Sequence, residues 1–222
     1  MVSDPAINLT YHGIGDPVRP LDPGEADIWV SRAGFLRMLD VVQARADVRL
    51  SFDDGNASDI GDALPALRDR GLQATFFLVA GRLGTPGYVD ADGVKELVSA
   101  GMRIGSHGMH HRRWRGLDDA ALHEEHVVAK AILEDVSGLP VTHVACPYGS
   151  YDRRVLQSLR RAGFTHVYTS DRGLAHLDDF LQARNSVTPR DEPKLLEDIA
   201  SMEAAAHKAL ARRAKLAVKR WR

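Results

Sequence analysis

Cysteine and long apolar runs are nearly absent from this chain. Its 222 residues include one cysteine, Cys146, so no disulfide can form within the chain and an oxidising compartment is not required. No run approaches the ~18 apolar residues of a membrane-spanning helix. The first residues, MVSDPAINL, contain neither the basic segment nor the apolar run of a secretory signal. From these absences we expect a soluble, cytoplasmic protein.

An excess of one charge and a high aromatic content are also missing. The 29 basic and 30 acidic residues give a formal net charge of -1, which offers no argument for a nucleic-acid partner. Aromatic residues make up 6% of the chain. In the proline- and glycine-rich segment His12–Trp29, which we predict to be a loop shaping a substrate groove, only Trp29 offers a large ring for stacking on a sugar.

What is present is an alternation of short apolar runs and amphipathic segments within a length suited to one α/β domain. The predicted strands are Ile7–Ile14, Val48–Phe52, Ala74–Ala80, Met102–Ser106, Val141–Cys146, His166–Ser170 and Ala183–Val187. The predicted helices are Ala33–Ala46, Ser58–Arg70, Ala91–Ala100, Asp118–Val136 and Asp152–Ala162, and glycines 71, 101, 138 and 163 stand where helix C-caps are expected. About seven parallel strands joined by helices can close into a barrel.

Polar side chains follow the ends of several predicted strands, where the active site of a parallel barrel forms. These residues are His12, Asp53, Asp54, His107, His110, His111, Tyr148 and Asp171. Such a collection at one end of a sheet predicts a catalytic or binding site.

His107 and His111 are four residues apart, so one turn would place both imidazoles on the same side. With one carboxylate from another strand end they form a plausible site for zinc, or for cobalt, nickel or manganese. Surface histidines with no ligand are the alternative. An aspartate at a second strand end favours the metal site.

Asp53 and Asp54 are adjacent carboxylates that would repel each other if both were free. A cation bound to one of them would relieve that repulsion. The other could then act as a base toward water activated by the metal. An Asp-Gly turn before a helix would explain Gly55, but it would not explain the histidine pair.

These segments together resemble a known family. "SFDDG" resembles the T/S-F-D-D-G motif of the polysaccharide deacetylases (the NodB-homology group, carbohydrate esterase family 4), "SHGMHH" resembles their H-x-x-x-H motif, and "ACPYG" resembles their motif ending in P-Y-G. The resemblance runs from roughly Leu9 to Val187 in the family's order. It implies an irregular (β/α)7 TIM-like barrel in a single domain, residues 1–191, that removes an N-acetyl group from an amino sugar with the help of a metal ion.

The resemblance also implies a role for each motif residue. Asp53 would be the catalytic base, and His110 would be a neighbour of the metal site rather than a ligand. The implied metal ligands are Asp54, His107 and His111. The backbone N–H of Tyr148 would help to hold the oxyanion, and we expect Pro147, Tyr148 and Trp29 to contact the substrate.

The chain departs from the family pattern in two places. Ala145 stands where many members have an arginine, and Arg184 could supply that charge beside Asp53. The chain has no clear match to the late L-x-H motif that provides the acid in many members. Its nearest late histidine, His176, lies in a polar segment. His12 is the better candidate, because "TYHGI" resembles the early Y-H-x-I element of the branch that deacetylates biofilm-type poly-N-acetylglucosamine, where the acid histidine comes from the first strand.

Residues 192–222 are predicted to form a basic C-terminal helix. Leu210, Ala214, Ala217, Val218 and Trp221 share one face, and Lys208, Arg212, Lys215, Lys219 and Arg222 lie opposite. This helix could pack on the barrel or lie on anionic lipid at the inner face of the membrane. In the cytoplasm the substrate would be a nucleotide sugar, a lipid-linked saccharide or a small amino sugar, and the basic tail favours the lipid-linked one.

Two other functions are compatible with these residues. Relatives of this fold resemble ureide and cyclic imide hydrolases, so the substrate could be a non-sugar amide. The missing arginine at Ala145 would suit a non-catalytic saccharide-binding protein, although the complete set of Asp53, Asp54, His107 and His111 argues against it. The sequence indicates no particular oligomeric state.

Overall fold

The computed structural model describes residues 5–191 and 194–204. In chain order the strands are β1 (Pro5–Tyr11), β2 (Gly13–Ile14), β3 (Trp29–Val30), β4 (Val48–Asp54), β5 (Ala74–Leu78), β6 (Arg103–Ser106), β7 (His143–Ala145), β8 (His166–Thr169), β9 (Ala175–His176) and β10 (Leu181–Ser186). The helices are α1 (Arg32–Val42), α2 (Leu64–Asp69), α3 (Ala91–Ser99), α4 (Asp119–His123), α5 (Ala129–Ser137), α6 (Arg153–Arg161) and α7 (Leu195–Ala204). A π-helical turn, Asp59–Ala63, leads into α2, and another, Glu124–Val128, joins α4 to α5.

Seven parallel strands close into a barrel in the spatial order β10-β8-β7-β6-β5-β4-β1. Closure comes from the parallel pairing of β1 with β10, in which Asn8 lies opposite Arg184 and Thr10 opposite Ser186. Each of the seven predicted apolar runs supplies one barrel strand, so the predicted (β/α)7 architecture is confirmed. Three short strands lie outside the barrel. β2, which covers the end of the predicted strand Ile7–Ile14, pairs with β3. β3 and β9 were not predicted, and β9 pairs antiparallel with the start of β1.

The helix ends follow the local signals of the sequence. The side chains of Ser31, Asp90, Asp118 and Asp152 each accept a hydrogen bond from the backbone N–H three residues later and so cap the starts of α1, α3, α4 and α6. The predicted C-cap glycines 71, 101, 138 and 163 have φ values of 62°, 78°, 68° and 84°. Glycine adopts this left-handed conformation at little cost, which lets the chain leave each helix and enter the next strand.

The apolar core lies outside the barrel, between the strands and the helices. Tyr11, Phe35, Phe52 and Phe76 form a continuous aromatic cluster there, with ring centroids 4.7–5.9 Å apart. Because side chains alternate across a strand, the strand residues that do not face this outer core point into the barrel interior. They include Asn8, Thr10, Ser51, Asp53, Thr75, Tyr168, Gln182 and Arg184. The interior is therefore largely polar, and it leads to the polar strand ends.

The part of α7 that is described packs on the barrel. Leu196 and Ile199 are buried in the core cluster. Residues 205–222, which carry the predicted basic face, lie outside the described residues. Within residues 5–191 and 194–204, no helix has the length and apolar character needed to span a membrane.

Candidate active site

The two aspartates of "SFDDG" reach the same cavity because β4 ends at Asp54 in an irregular backbone conformation. Asp53 continues the inward alternation of β4, and the next side chain of a regular strand would point to the opposite face. Asp54 instead has φ of 77° and Gly55 has φ of 73°, so the chain turns at this point and both carboxylates line one cavity. A positive φ at a non-glycine residue costs energy and is often found at functional sites.

The two histidines of "SHGMHH" meet in a loop rather than on a helical turn. The segment after β6 is irregular, and it turns through positive φ values of 81° at Gly108 and 51° at His111. This turn brings the imidazole centroids to 5.0 Å. The expected juxtaposition is present, but the single regular turn that we expected to produce it is not.

Asp54, His107 and His111 form a group of possible metal ligands whose ligand atoms all lie within 4.8 Å of one another. Nε2 of His111 is 3.1 Å and Nε2 of His107 is 3.6 Å from Oδ1 of Asp54. Burial lowers the pKa of His107 to about 3. Burial, with the nearby charge of Arg82, lowers that of His111 to about 4. Both rings are therefore neutral at pH 7, the form in which imidazole binds metals.

The hydrogen bonds of His107 show which of its nitrogens faces the carboxylate. Nδ1 lies 2.8 Å from the carbonyl oxygen of Ala145, which can only accept, so Nδ1 carries the proton and Nε2 is an acceptor. Oδ1 of Asp54 is buried and has no hydrogen-bond partner. Two buried acceptors that face each other without a hydrogen between them fit a bound cation.

Arg184 pairs with Asp53 inside the barrel. Its Nη1 and Nη2 lie 2.6 Å and 2.7 Å from the two carboxylate oxygens of Asp53, and Nη1 also donates to Oγ1 of Thr10 at 3.1 Å. Burial alone would raise the pKa of Asp53, but the charges of Arg184 and His107 outweigh burial and hold that pKa below its usual range. Arg184 thus places a positive charge beside Asp53. Ala145, at the position where many family members have an arginine, carries no charge.

His12 lies beside Asp53, whose Oδ2 is also 3.6 Å from Nε2 of His107. The Nε2 atom of His12 is 3.9 Å from Oδ2 of Asp53, the side chain of His12 lines the same cavity, and its buried Nδ1 has no hydrogen-bond partner. The other candidate acid, His176, belongs to β9, which pairs with Pro5 and Ala6 at the amino end of the barrel. His176 is therefore too far from this cavity to donate a proton there.

Tyr148 and Trp29 have different surroundings. Tyr148 is 54% exposed, lines the cavity, and places its ring 4.7 Å from that of His111, beside the buried Pro147. Trp29 does not line the cavity: its indole Nε1 donates to the carbonyl of Gly15 at 2.8 Å, and its ring covers Gly13. Trp29 stabilises the entrance loop, and the geometry gives no support to its expected contact with substrate.

The cavity itself has a volume of about 480 Å³. Residues of the segment His12–Trp29 form one wall, as expected, although this segment also contains β2 and a short helical turn, Glu25–Ile28. The lining residues are His12, Asp22, Pro23, Gly24, Glu25, Ile28, Asp53, Asp54, Arg82, His107, His111, Arg113, Cys146, Tyr148, Ser170 and Ser186.

A buried ion pair that the sequence did not reveal fixes this wall. Arg19 forms a two-pronged contact with Glu25 and donates to Oδ1 of Asn56 at 2.7 Å. The amide nitrogen of Asn56 in turn donates to the carbonyl of His12 at 2.9 Å. The loop, the end of the "DDGN" turn and the backbone of His12 are therefore held together as one unit.

Glu125 is a second important residue that the sequence did not reveal. It is fully buried in the π-helical turn between α4 and α5. One oxygen accepts hydrogen bonds from the backbone N–H of Met109 at 2.8 Å and from the indole of Trp114 at 3.1 Å. The other accepts from Nε of Arg112 at 2.7 Å. Glu125 thus anchors the loop that carries His111. The one sequence signal for this role is that a charged residue occurs on an otherwise apolar helix face.

A family model described as "Polysaccharide deacetylase" matches residues 41–167. This match covers more than half of the chain and includes the two aspartates, the two histidines and Tyr148. The chain belongs to the polysaccharide deacetylase family. Its expected family and fold class are thereby confirmed.

Two curated relatives of this chain support the assignment. A chitooligosaccharide deacetylase of Bradyrhizobium sp. (strain ANU 289) is 29% identical over 132 residues, which are 58% of each chain. YxkH of Bacillus subtilis (strain 168), whose name assigns it provisionally to the polysaccharide deacetylases, is 25% identical over 166 residues, which are 75% of this chain and 60% of YxkH. The present chain thus spans about three-fifths of the length of these relatives.

Solved structures share the fold of this chain. The Streptococcus pyogenes deacetylase PplD in complex with acetate has a TM-score of 0.78 at 20% identity, over 89% of this chain and 98% of PplD. IcaB from Ammonifex degensii has a TM-score of 0.73 at 24% identity, over 88% of this chain and 97% of IcaB. The family is generally metal-dependent, and the group formed by Asp54, His107 and His111 is a possible metal site in this member.

Proposed function

We propose that this polysaccharide deacetylase is a metal-dependent hydrolase that removes the N-acetyl group from an amino sugar. The proposal rests mainly on one observation: the possible metal ligands Asp54, His107 and His111 lie directly beside Asp53, a buried carboxylate held in its ionised form by Arg184. A ligand group and an ionised base at the same strand ends are what metal-assisted amide hydrolysis requires.

Asp54, His107 and His111 would hold one divalent ion, for which zinc is our first candidate and cobalt, nickel and manganese are alternatives. When bound, such an ion lowers the pKa of water and polarises the acetamide carbonyl. Two of the ligand side chains are positioned by their neighbours: His107 donates to the carbonyl of Ala145, and Nδ1 of His111 lies 3.3 Å from the hydroxyl of Tyr148.

Asp53 would take the proton from the attacking water as the new C–O bond forms. Arg184 keeps this carboxylate ionised and fixes both of its oxygens. The backbone N–H of Tyr148 would donate to the oxygen of the tetrahedral intermediate, a contribution that is often the largest in acyl transfer. Tyr148 has φ of 55°, an unusual conformation that aims its peptide group differently from that of a regular strand.

His12 would act as the general acid. It lines the cavity beside Asp53. As the C–N bond of the amide breaks, His12 would donate a proton to the departing amine. We therefore expect His12→Ala to lower turnover by about 10²–10⁴-fold, while His176→Ala at the other end of the barrel leaves turnover unchanged.

A saccharide substrate is supported by the chitooligosaccharide deacetylase relative, and release of acetate is supported by the fold neighbour in complex with acetate. The amino sugar could belong to an oligosaccharide, a lipid-linked saccharide or a nucleotide sugar. Hydrolysis of a non-sugar amide or ureide is the alternative, and release of ammonia without acetate would favour it.

The decisive experiment combines metal analysis with an acetate assay on N-acetylated oligosaccharides. We expect close to one zinc per chain in the wild type, and loss of both metal and activity in Asp54→Ala, His107→Ala and His111→Ala. His110→Ala is the matched control, because His110 lies in the same loop but pairs with Glu124 at 3.2 Å outside the ligand group. It should keep both properties.

Asp53→Asn separates metal binding from chemistry. It keeps the shape of the side chain and removes the base, so we expect near-normal metal content and turnover lowered by at least about 10²-fold. Full turnover in Asp53→Asn would disprove the assigned base. Sugar binding without metal or acetate release in the wild type would instead support a non-catalytic binding protein.

A further inference from the structure

A second cavity lies at the opposite, amino end of the barrel. Its volume is about 440 Å³. Four different strands place a basic side chain at its rim: Arg49 on β4, Arg103 on β6, His143 on β7 and His166 on β8. The last two are register partners. Basic groups from four separate strands therefore converge at this rim.

No acidic residue lines this cavity among the described residues. In the same part of the structure, no carboxylate forms an ion pair with Arg49 or Arg103. The nearby Asp179 lines a different depression, with Arg153 and Arg160. Asp47 interacts electrostatically with Arg49, but its direct ion pair is with Arg45. Like charges that lack a direct ion-pair partner destabilise a folded chain, so this arrangement leaves room for an anion supplied from outside.

The two histidines of the rim show the same crowding of positive groups. The rings of His143 and His166 stack at a centroid distance of 4.5 Å and an interplanar angle of 7°. Burial, together with the charges of Arg103 and His166, lowers the pKa of His143 to about 3. The protein thus keeps His143 neutral at pH 7, where it can still donate or accept a hydrogen bond, and the two arginines carry the charge.

Neutral polar groups form the floor of the cavity. Asn8 and Gln182 come from neighbouring strands and are fixed by hydrogen bonds to each other and to backbone carbonyls. The remaining lining includes Ser51, Gln73, Thr75 and Tyr168. Arg49 is held in place by hydrogen bonds from Nη1 to the carbonyls of Ala46, at 2.6 Å, and Val48, at 3.1 Å.

We propose that this amino-end cavity is a binding site for a phosphate-type oxyanion, held by Arg49 and Arg103 with His143 and Gln73 as additional donors. The planar guanidinium group pairs with phosphate through two parallel hydrogen bonds. Two arginines at the rim match the two negative charges of a phosphate at neutral pH. The neutral floor satisfies hydrogen bonds without adding repulsion.

This site is separate from the proposed catalytic cavity. Phe77, Tyr168 and Arg184 fill the barrel between them, with the Arg184 guanidinium 5.1 Å from the ring of Phe77 and 5.9 Å from that of Tyr168. The carboxyl-end cavity contains four acidic side chains and the possible metal ligands, whereas the amino-end cavity contains only basic and neutral ones. The two ends are therefore suited to ions of opposite charge.

The test measures the melting temperature of the full chain in sodium phosphate and in sodium chloride at matched ionic strength. At a phosphate concentration ten times its Kd, the wild type should melt about 3–6 °C higher than in chloride. Arg103→Gln and Arg49→Gln should each weaken phosphate binding at least about tenfold. Arg68→Gln, on the exposed side of α2, is the matched control and should respond like the wild type.

A variant of the other cavity distinguishes this inference from the proposed catalytic function. Asp54→Ala should keep the full response to phosphate even if it loses metal and activity. The proposal is overturned if phosphate and chloride have equal effects on the wild type. It is also overturned if Arg103→Gln and Arg49→Gln respond like the wild type while Asp54→Ala does not, because phosphate would then be binding at the metal site.

The same variants distinguish two sources of the oxyanion. Inorganic phosphate is the first probe, and phosphatidylcholine vesicles containing phosphatidic acid are the second. A response to inorganic phosphate that depends on Arg103 indicates a soluble ligand. Vesicle binding that depends on Arg103, with no response to inorganic phosphate, supports the same oxyanion chemistry in a lipid headgroup. Vesicle binding that is unchanged in Arg103→Gln contradicts a role of the cavity.

Discussion

The two adjacent aspartates have different pKa values because their neighbours differ. Asp53 faces Arg184 and stays ionised, with its pKa below the usual range. Asp54 has no such partner: burial, together with the charge of Asp53, raises its pKa to about 6, although His12 acts in the opposite direction. A bound cation would lower this pKa and so favour the ionised form of Asp54 over a wider pH range. This difference divides the proposed roles of base and ligand between two consecutive residues.

Replacing Arg184 should destabilise the fold in a pH-dependent manner. Arg184→Met leaves the buried Asp53 carboxylate unpaired, which costs roughly 3–5 kcal/mol at pH 7. Because the folded-state pKa of Asp53 is lowered, the stabilisation by this pair is present above the unfolded pKa of about 3.9 and is lost as the pH falls through the folded-state value. The difference in melting temperature between wild type and variant should be full at pH 7 and narrow below about pH 4.

Thermal unfolding in EDTA between pH 3 and pH 8 measures this effect without a contribution from metal. The control is the double variant Asp53→Asn/Arg184→Met, in which no buried charge is left unpaired. It should be more stable at pH 7 than Arg184→Met alone. A difference that does not vary with pH would show that Arg184 acts through packing rather than through its charge.

The loop from His107 to Trp114 depends on an element elsewhere in the chain for its shape. Its backbone donates to Glu125 at Met109, and the side chains of Arg112 and Trp114 do the same. The position that a Cβ atom would take at Gly108 lies 2.3 Å from Oε2 of Glu125, so only glycine fits at this contact. Placement of His111 therefore depends on the turn between α4 and α5.

Glu125→Gln should weaken metal binding about 10–100-fold, because residues that orient metal ligands have effects of this size. The amide nitrogen of Gln cannot accept a hydrogen bond from Arg112, so the loop loses part of its anchor. Zinc affinity measured by competition with a chelator tests this directly. Glu124→Gln is the matched control, since Glu124 is adjacent but contacts His110 and Arg112 at the surface. Equal affinities in the two variants would contradict the anchoring role.

At the scale of the whole molecule, the polarity of the barrel interior distinguishes this protein from a barrel filled with apolar side chains. Its apolar core is an outer shell between strands and helices, and charged groups occupy the axis. Buried charges of this kind must be paired to be tolerated. Arg184 and Asp53 satisfy this condition within the interior, and we have proposed ions for the two ends.

Truncation tests where the folded unit ends. We predicted a barrel in residues 1–191 followed by a separate basic helix, and that boundary stays a prediction. Leu196 and Ile199 are buried, and burying two such side chains contributes about 3–6 kcal/mol at most. A chain ending at Ala204 should therefore keep its stability and metal content, whereas one ending at Asp191 should lose several kcal/mol in urea unfolding. Equal stability of the two truncated chains would favour the predicted boundary.

The local pattern of the sequence was sufficient to predict the architecture. Strand and helix periods, capping residues and C-cap glycines act over a few residues, and all seven barrel strands and the helices around them lie close to their predicted positions. The motif residues could also be grouped in advance, because the carboxyl ends of parallel strands meet at one edge. His12, Asp53, Asp54, His107, His111 and Tyr148 do line one cavity.

Only the tertiary structure decided how these groups are supported. Arg184 lies 131 residues from Asp53 along the chain, and closure of β10 onto β1 is what brings it into the barrel. The contacts of Glu125 with the loop of His111 and the basic amino-end rim likewise join residues from separate elements, for which no local signal exists. The packing of Trp29 on Gly13 could not be predicted because it depends on the path of the whole loop. Local sequence periodicity determines whether a segment forms a strand or a helix, whereas the pairing of charged residues that are distant in sequence depends on how the barrel closes.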